Sequence, residues 1–253
     1  MVQQREGAGE MSDNALVFDI ETVADLSAEN RAAVGALASG RNMTPEAYGG
    51  LCPPLARVVC IAWVHVAAGR LAAVVDGTLC AGALDPSILV DSGGAPVACD
   101  LVAADGEADV LRRFGRVVEH HLGHADAQLV TYNGRGFDLP VLIHRAIKHG
   151  VIEGRERLLQ AITESRHRPL LHVDLLDSLT FYGASQRFPM AAYVIGYGWR
   201  SPKQEMSGAQ VWDAVSAGRI PDIARYCAGD VLATAYLYGR FRDCLMAPSR
   251  TPT

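Results

Sequence analysis

Long apolar runs are missing from this sequence. No stretch approaches the roughly 18 uninterrupted apolar residues of a membrane-spanning helix, so a bilayer span is excluded. The opening segment MVQQREGAGEMSDN has no apolar core and carries acids, unlike an export signal. Paired cysteines are missing too. Cys52, Cys60, Cys80, Cys99, Cys227 and Cys244 form no C-x-x-C pair, which argues against a zinc site. They read as buried thiols of a reducing compartment, pointing to a cytoplasmic protein. Internal repeats and long linkers are absent. So is a positive balance of charge: the net is −5, which by itself does not suggest a nucleic-acid binder.

What is present supports a sizeable core, with 49% hydrophobic residues among 253. The charge is unevenly spread. Residues 1–134 hold 8 Lys/Arg against 17 Asp/Glu, whereas residues 135–203 hold 10 against 6. The basic middle includes Arg135, Arg145, Lys148, Arg166, Arg168, Arg187, Arg200 and Lys203. It reads either as a solvated face or as a rim that attracts phosphate.

Apolar periodicity predicts a strand at 15–21, short helices within 26–50, and a hairpin over 57–77 turning at Ala68-Gly69-Arg70. Residues 78–96 read as loop and 96–103 as a further strand. A helix is expected over 105–123, a strand over 127–133, and a helix over 137–150 with Pro140 in its first turn and Gly150 as its stop. A strand leads into a helix within 169–183, short helices cover 188–196 and 207–217, and a long helix covers 220–241. Residues 1–14 and 246–253 read as tails flanking one domain over 15–245. Early strands followed by strand–helix alternation predict an α/β domain with a mixed sheet, antiparallel first and parallel later.

Three acidic segments stand out. In LVFDIET, Asp19 and Glu21 are two apart on a strand and share one face. Neighbouring carboxylates repel, and a divalent cation relieves the conflict by binding both; surface acids at a strand end are the plainer alternative. In TYNGRGFD, a strand ends at Asn133, glycines permit a tight turn, and Asp138 opens a helix. There Asp138 also suits a helix N-terminus, and Asn133 is either a turn residue or a substrate contact. In YCAGD, Tyr226 and Asp230 are four apart and stack on one helix face; a core tyrosine beside an exposed acid is the plainer alternative. Elsewhere, His120, His121 and His124 suit a helix end, Asp177 a helix cap, and Asp174 a place near the site. Tyrosines and Trp199 within 182–199 suit either core packing or stacking on a base.

Taken together, FDIET, YNGRGFDLPVL and YCAGDVLATAYL, with LLHVDLLDSLTFYG and GAQVW between them, resemble the DEDD superfamily of 3′–5′ exonucleases. The match is to its tyrosine subgroup, and to the predicted exonucleases related to the proofreading domain of family B DNA polymerases. The resemblance spans roughly residues 15–241. Residues 185–206 depart from it, being bulkier and less polar than expected. The resemblance implies a ribonuclease H-like fold, with a mixed five-stranded sheet and flanking helices. It implies two divalent cations, Mg2+ or Mn2+, with Asp19 bridging them, Glu21 and Asp230 on the ion that activates water, and Asp138 supporting the second. Tyr226 is expected to position the water, and Thr22, Asn133 and Phe137 to touch substrate. The expected substrate is single-stranded DNA or a frayed 3′ end. The alternatives are an RNA-trimming exoribonuclease, a ribonuclease H-like endonuclease and a non-catalytic nucleic-acid-binding module.

Overall fold

The computed structural model describes residues 14–80, 88–90, 96–167, 169–199 and 206–245. The expected C-terminal tail, the N-terminal one up to residue 13, most of the 78–96 loop, and the basic residues Arg168, Arg200 and Lys203 lie outside them. Strand β1 (Ala15–Ala24) lies inside the sheet, between β2 (Ala56–His65) and β6 (Gln128–Thr131). Beyond β2 come β3 (Arg70–Asp76), β5 (Pro96–Ala104) and the three-residue β4 (Ile88–Val90); beyond β6 comes β7 (His172–Asp174). β1 is antiparallel to β2 and parallel to β6, β3 is parallel to β5, and β6 is parallel to β7.

The α/β class and the mixed order agree with the reading of the sequence, but the expected count of five strands is corrected. Six strands form the sheet and β4 extends its edge, giving seven. β4 falls within the stretch read as loop, because three residues paired at an edge carry too little periodicity to register.

Alternation along β1 sorts its side chains into two cores. Ala15, Val17 and Val23 face one, with Leu16, Phe18 and Ile20 facing the other. The first core is covered by α7 (Met190–Gly196), α8 (Val211–Ser216) and α9 (Ile220–Leu245). The second is covered by α3 (Glu107–His121), α4 (Asp138–His149) and α5 (Arg155–Thr163). Both faces of the central strands are therefore apolar, and full burial of each large aliphatic or Phe side chain stabilises by roughly 1.5–3 kcal/mol. Helices α1 (Arg31–Ser39) and α2 (Pro45–Leu51) pack beside the end of β1. Gly150 ends α4 with a left-handed φ of 64°, as its position predicted. No helix of the described residues is long and apolar enough to cross a membrane.

Several local readings need correction. Arg145 belongs to no basic rim: it is 1% exposed and paired with Glu107 and Asp25. Asp177 does not cap a helix; Asp174 caps α6 (Leu175–Leu179) by accepting the Leu176 N–H. Trp199 is buried with its ring 5.1 Å from that of Tyr236, which favours core packing over base stacking. Cys60, Cys99 and Cys227 are buried as read, but Cys52 and Cys80 are only half-buried.

Candidate active site

The ladder between β1 and β6 stops at Val17 and Val130. Asp19 and Glu21 lie beyond it, where the parallel strands end and an open sheet leaves a crevice. They point to the face covered by α9, and the pairing with β2 slips between Glu21 and Thr22. Such a bulge re-aims side chains at the point where pairing ends. Asp19 is half-buried there and Glu21 buried, so the apolar strand carries its acids only past the end of the β6 ladder. Thr22, expected to touch substrate, donates its hydroxyl to the Gly50 carbonyl at 3.1 Å and so holds α2.

After β6 the chain turns sharply. Asn133 takes a left-handed φ of 66°. The Gly134 N–H donates to Thr131 Oγ1 at 3.1 Å. A Cβ at Gly134 would lie 2.2 Å from that oxygen, so only glycine fits. Asp174, at the end of β7, clamps the turn from below. Its Oδ1 accepts the Asn133 N–H and its Oδ2 the Arg135 N–H, each at 2.9 Å. The turn delivers Asp138, 4% exposed, to the start of α4 and leaves Phe137 half-buried. The Ile20 backbone, between Asp19 and Glu21, faces the Asp138 carboxylate and favours its charged form. Burial lifts that carboxyl to about 7, with Asp174 adding to the rise.

From α9, Tyr226 and Asp230 reach the same place, and the Tyr226 hydroxyl is bonded to Asp230. Burial drives the phenol well above its ordinary range, and the charges of Asp230, Glu21 and Asp19 push it further. One hydroxyl thus senses three of the four expected carboxylates, and the fourth faces the backbone between two of them.

Cys227 was missed in the sequence. Its Sγ lies 3.8 Å from Asp19 Oδ2 and donates to the Asp19 carbonyl at 3.4 Å. Candidate ligand atoms of Asp19, Glu21 and Cys227 fall within 4.8 Å of one another. Burial, then the neighbouring Cys60, Asp19 and Glu21, raise the thiol well above its usual range. It is a neutral donor that forms a wall of the site, since a hard divalent cation prefers oxygen. The signal for it was its place beside Tyr226 on the covering helix.

The donor set fits a divalent cation. Asp19, Glu21 and Asp230 concentrate negative charge around one phenol, and Asp138 is a buried carboxyl that a nearby cation would return to its charged form.

No curated protein sequence matches the chain. The family B DNA polymerase of the hyperthermophilic archaeon Pyrobaculum calidifontis is similar in structure, with a TM-score of 0.52 at 22% identity, over 89% of this chain and 24% of that one. The chain thus spans about a quarter of that polymerase, and the likeness is one of fold. Residues 100–247, which carry Asp138, Tyr226 and Asp230 while β1 joins them through the sheet, match a family model. The chain therefore belongs to the family described as predicted 3′-5′ exonucleases related to the exonuclease domain of PolB.

Proposed function

We propose that this protein is a metal-dependent 3′–5′ exonuclease that removes 3′-terminal nucleotides from single-stranded DNA or frayed 3′ ends. The observation that carries the reading is the clustering of Asp19 and Glu21, whose candidate ligand atoms lie within 4.8 Å of one another and of Cys227 Sγ on α9, the helix that also bears Tyr226 and the buried Asp230, with the buried Asp138 beside the Ile20 backbone. Asp19, Glu21, Asp138 and Asp230 would hold two divalent cations, Mg2+ or Mn2+. Bound there, these supply a nucleophile at neutral pH and neutralise charge on the phosphate and leaving oxygen.

The chain's own groups do the rest. Tyr226 stays protonated because burial and three carboxylates oppose its ionisation. It therefore orients the attacking water through its hydroxyl and does not act as the base. Asp230 accepts from Tyr226 and fixes the phenol's direction. The turn at Asn133, with Phe137 at its far end, offers backbone and ring contacts to the terminal nucleotide.

The test is digestion of 5′-labelled single-stranded DNA and RNA with Mg2+ or Mn2+, beside Asp19→Ala. The expected result is stepwise shortening of DNA from the 3′ end, lost with chelator and in the variant. Internal cuts would indicate an endonuclease instead. Cleavage surviving Asp19→Ala would remove Asp19 from the site.

A further inference from the structure

Three guanidinium groups surround one carboxylate beside the turn that delivers Asp138. Arg135 Nε lies 3.8 Å from Asp177 Oδ2, while Arg166 Nη1 and Arg187 Nη2 lie 3.9 and 3.8 Å from Asp177 Oδ1. At those separations the attraction is Coulombic and no hydrogen bond forms. Asp177 thus gathers the arginines without engaging their N–H donors. Arg135 spends its Nη1 on the Ile162 and Glu164 carbonyls. Arg166 and Arg187 are 46% and 63% exposed. The nearby carboxylates of Asp174 and Glu164 are directed to backbone N–H groups. The outer face of the cluster is therefore cationic, with planar forks suited to phosphate oxygens.

Aromatic rings border the same cluster. The ring of Tyr182 lies 4.8 Å from that of His167, the neighbour of Arg166. Phe188, the neighbour of Arg187, is 48% exposed, and its carbonyl accepts the hydroxyl of Tyr132. Tyr132 directly precedes Asn133, so Phe188 is anchored to the site turn. Phe181 and Tyr182 both hold left-handed backbone, with φ of 50° and 57°. Bulky residues adopt that conformation at a cost, and such strain gathers at ligand-binding places. Phe181 is 65% exposed, so the strained pair does not serve to bury its ring.

We infer that Arg166, Arg187, Tyr182 and Phe188 form a track for single-stranded DNA leading away from the 3′ end held in the active site. The inference rests on the exonuclease reading and deepens it. The arginines hold successive phosphates, and the rings stack on bases without selecting among them. Charge complementarity identifies the occupant: two exposed guanidinium forks stand beside a half-buried ring at Tyr182 and an exposed one at Phe188, which suits a strand with accessible bases. The track gives a role to two arginines of the basic middle.

The test is fluorescence anisotropy of 5′-labelled oligothymidylate, blocked by a 3′ phosphorothioate linkage, over a range of salt. Beside it runs hydrolysis of the p-nitrophenyl ester of thymidine 5′-monophosphate, which is too short to reach the track. In Arg166→Ala/Arg187→Ala, the slope of log affinity against log salt should shrink by about 1.4, or about 0.7 per phosphate lost. Affinity should fall at least tenfold, with the small ester cleaved as before. The Arg166→Lys/Arg187→Lys form should recover the salt slope, and Phe188→Ala should weaken binding roughly tenfold with the slope intact. Unchanged affinity and slope in the alanine variants overturn the track while leaving the exonuclease reading in place. Oligouridylate bound in preference to oligothymidylate overturns DNA as its occupant. Failure of the wild-type protein to cleave either the ester or an unblocked oligonucleotide overturns the exonuclease reading itself.

Discussion

Arg145 grips Glu107 through two parallel bonds, Nε to Oε1 at 2.7 Å and Nη2 to Oε2 at 2.6 Å. The same guanidinium donates to Asp25 Oδ2 at 3.0 Å, and Lys148 pairs with Asp25. Glu107 also accepts the Val58 N–H at 2.8 Å. One buried network thus binds α3 and α4 to β2 and to the residue just past the end of β1.

Arg145→Met should take the shared guanidinium from two buried carboxylates, leaving Asp25 to Lys148 and Glu107 to His149 and the Val58 N–H. It should cost about 3–5 kcal/mol of stability, as breaking a buried ion pair does. Arg70→Ala breaks the exposed pair with Asp100 and should cost no more than about 1 kcal/mol. Urea denaturation checks both, and equal losses would mean that burial of the network does not matter.

Two buried histidine rings should each draw stability down as solutions are acidified below neutrality, while the buried Asp138 carboxyl, lifted to about 7, works in the opposite sense. Burial holds the His121 ring down to about 4 and the His172 ring to about 3, against an ordinary 6.5. Arg135 adds to the effect at His172. The unfolded chain then binds more protons between those values. The contribution of each neutral ring is whole above 6.5 and is lost as the pH falls toward the folded value. Between about pH 7 and about pH 4, urea midpoints of the wild-type protein should lose ground relative to those of His172→Gln, because only the wild type carries the buried ring. An identical slope in that variant would contradict the assignment.

Asp174→Asn should slow the exonuclease without touching a cation ligand. An amide cannot accept at both ends, so one of the N–H groups of Asn133, Arg135 or Leu176 would meet another donor. The turn carrying Asp138 would shift, and a misplacement on the order of 1 Å can cost about a hundredfold in rate. Single-turnover shortening of an oligonucleotide measures it. A wild-type rate would show that the clamp only stabilises the fold.

Tyr226→Phe should lower the rate by about a hundredfold, as loss of an orienting contact does. Mn2+ titration should find metal binding retained, whereas Asp230→Asn should weaken both. The phenol stays protonated, so the pH–rate profile should keep its shape in Tyr226→Phe. A limb that disappears would make Tyr226 a base.

Residue order alone revealed much of the architecture. Helix α4 was bounded by Pro140 and Gly150, α3 by its apolar spacing, and α9 by a pattern that fell only four residues short of its end at Leu245. Asp19, Glu21, Asp138, Tyr226 and Asp230 could be singled out in the sequence because each stands at a strand end, a helix start or a helix face, and because the three segments together resemble one family's motifs. The Asp174 clamp was not, since it joins groups 41 and 39 residues apart. Arg145 was misread as surface charge for the same reason: its partner Asp25 lies 120 residues away.

The sequence by itself determined the alternation of strands and helices and the residue types available for chemistry, because both follow from short-range periodicity and turn stereochemistry. Only the tertiary structure decided which charges are buried in the network, which are clamped under the turn and which remain open at the surface. Long-range pairing and desolvation set those roles, and neither leaves a mark in local spacing.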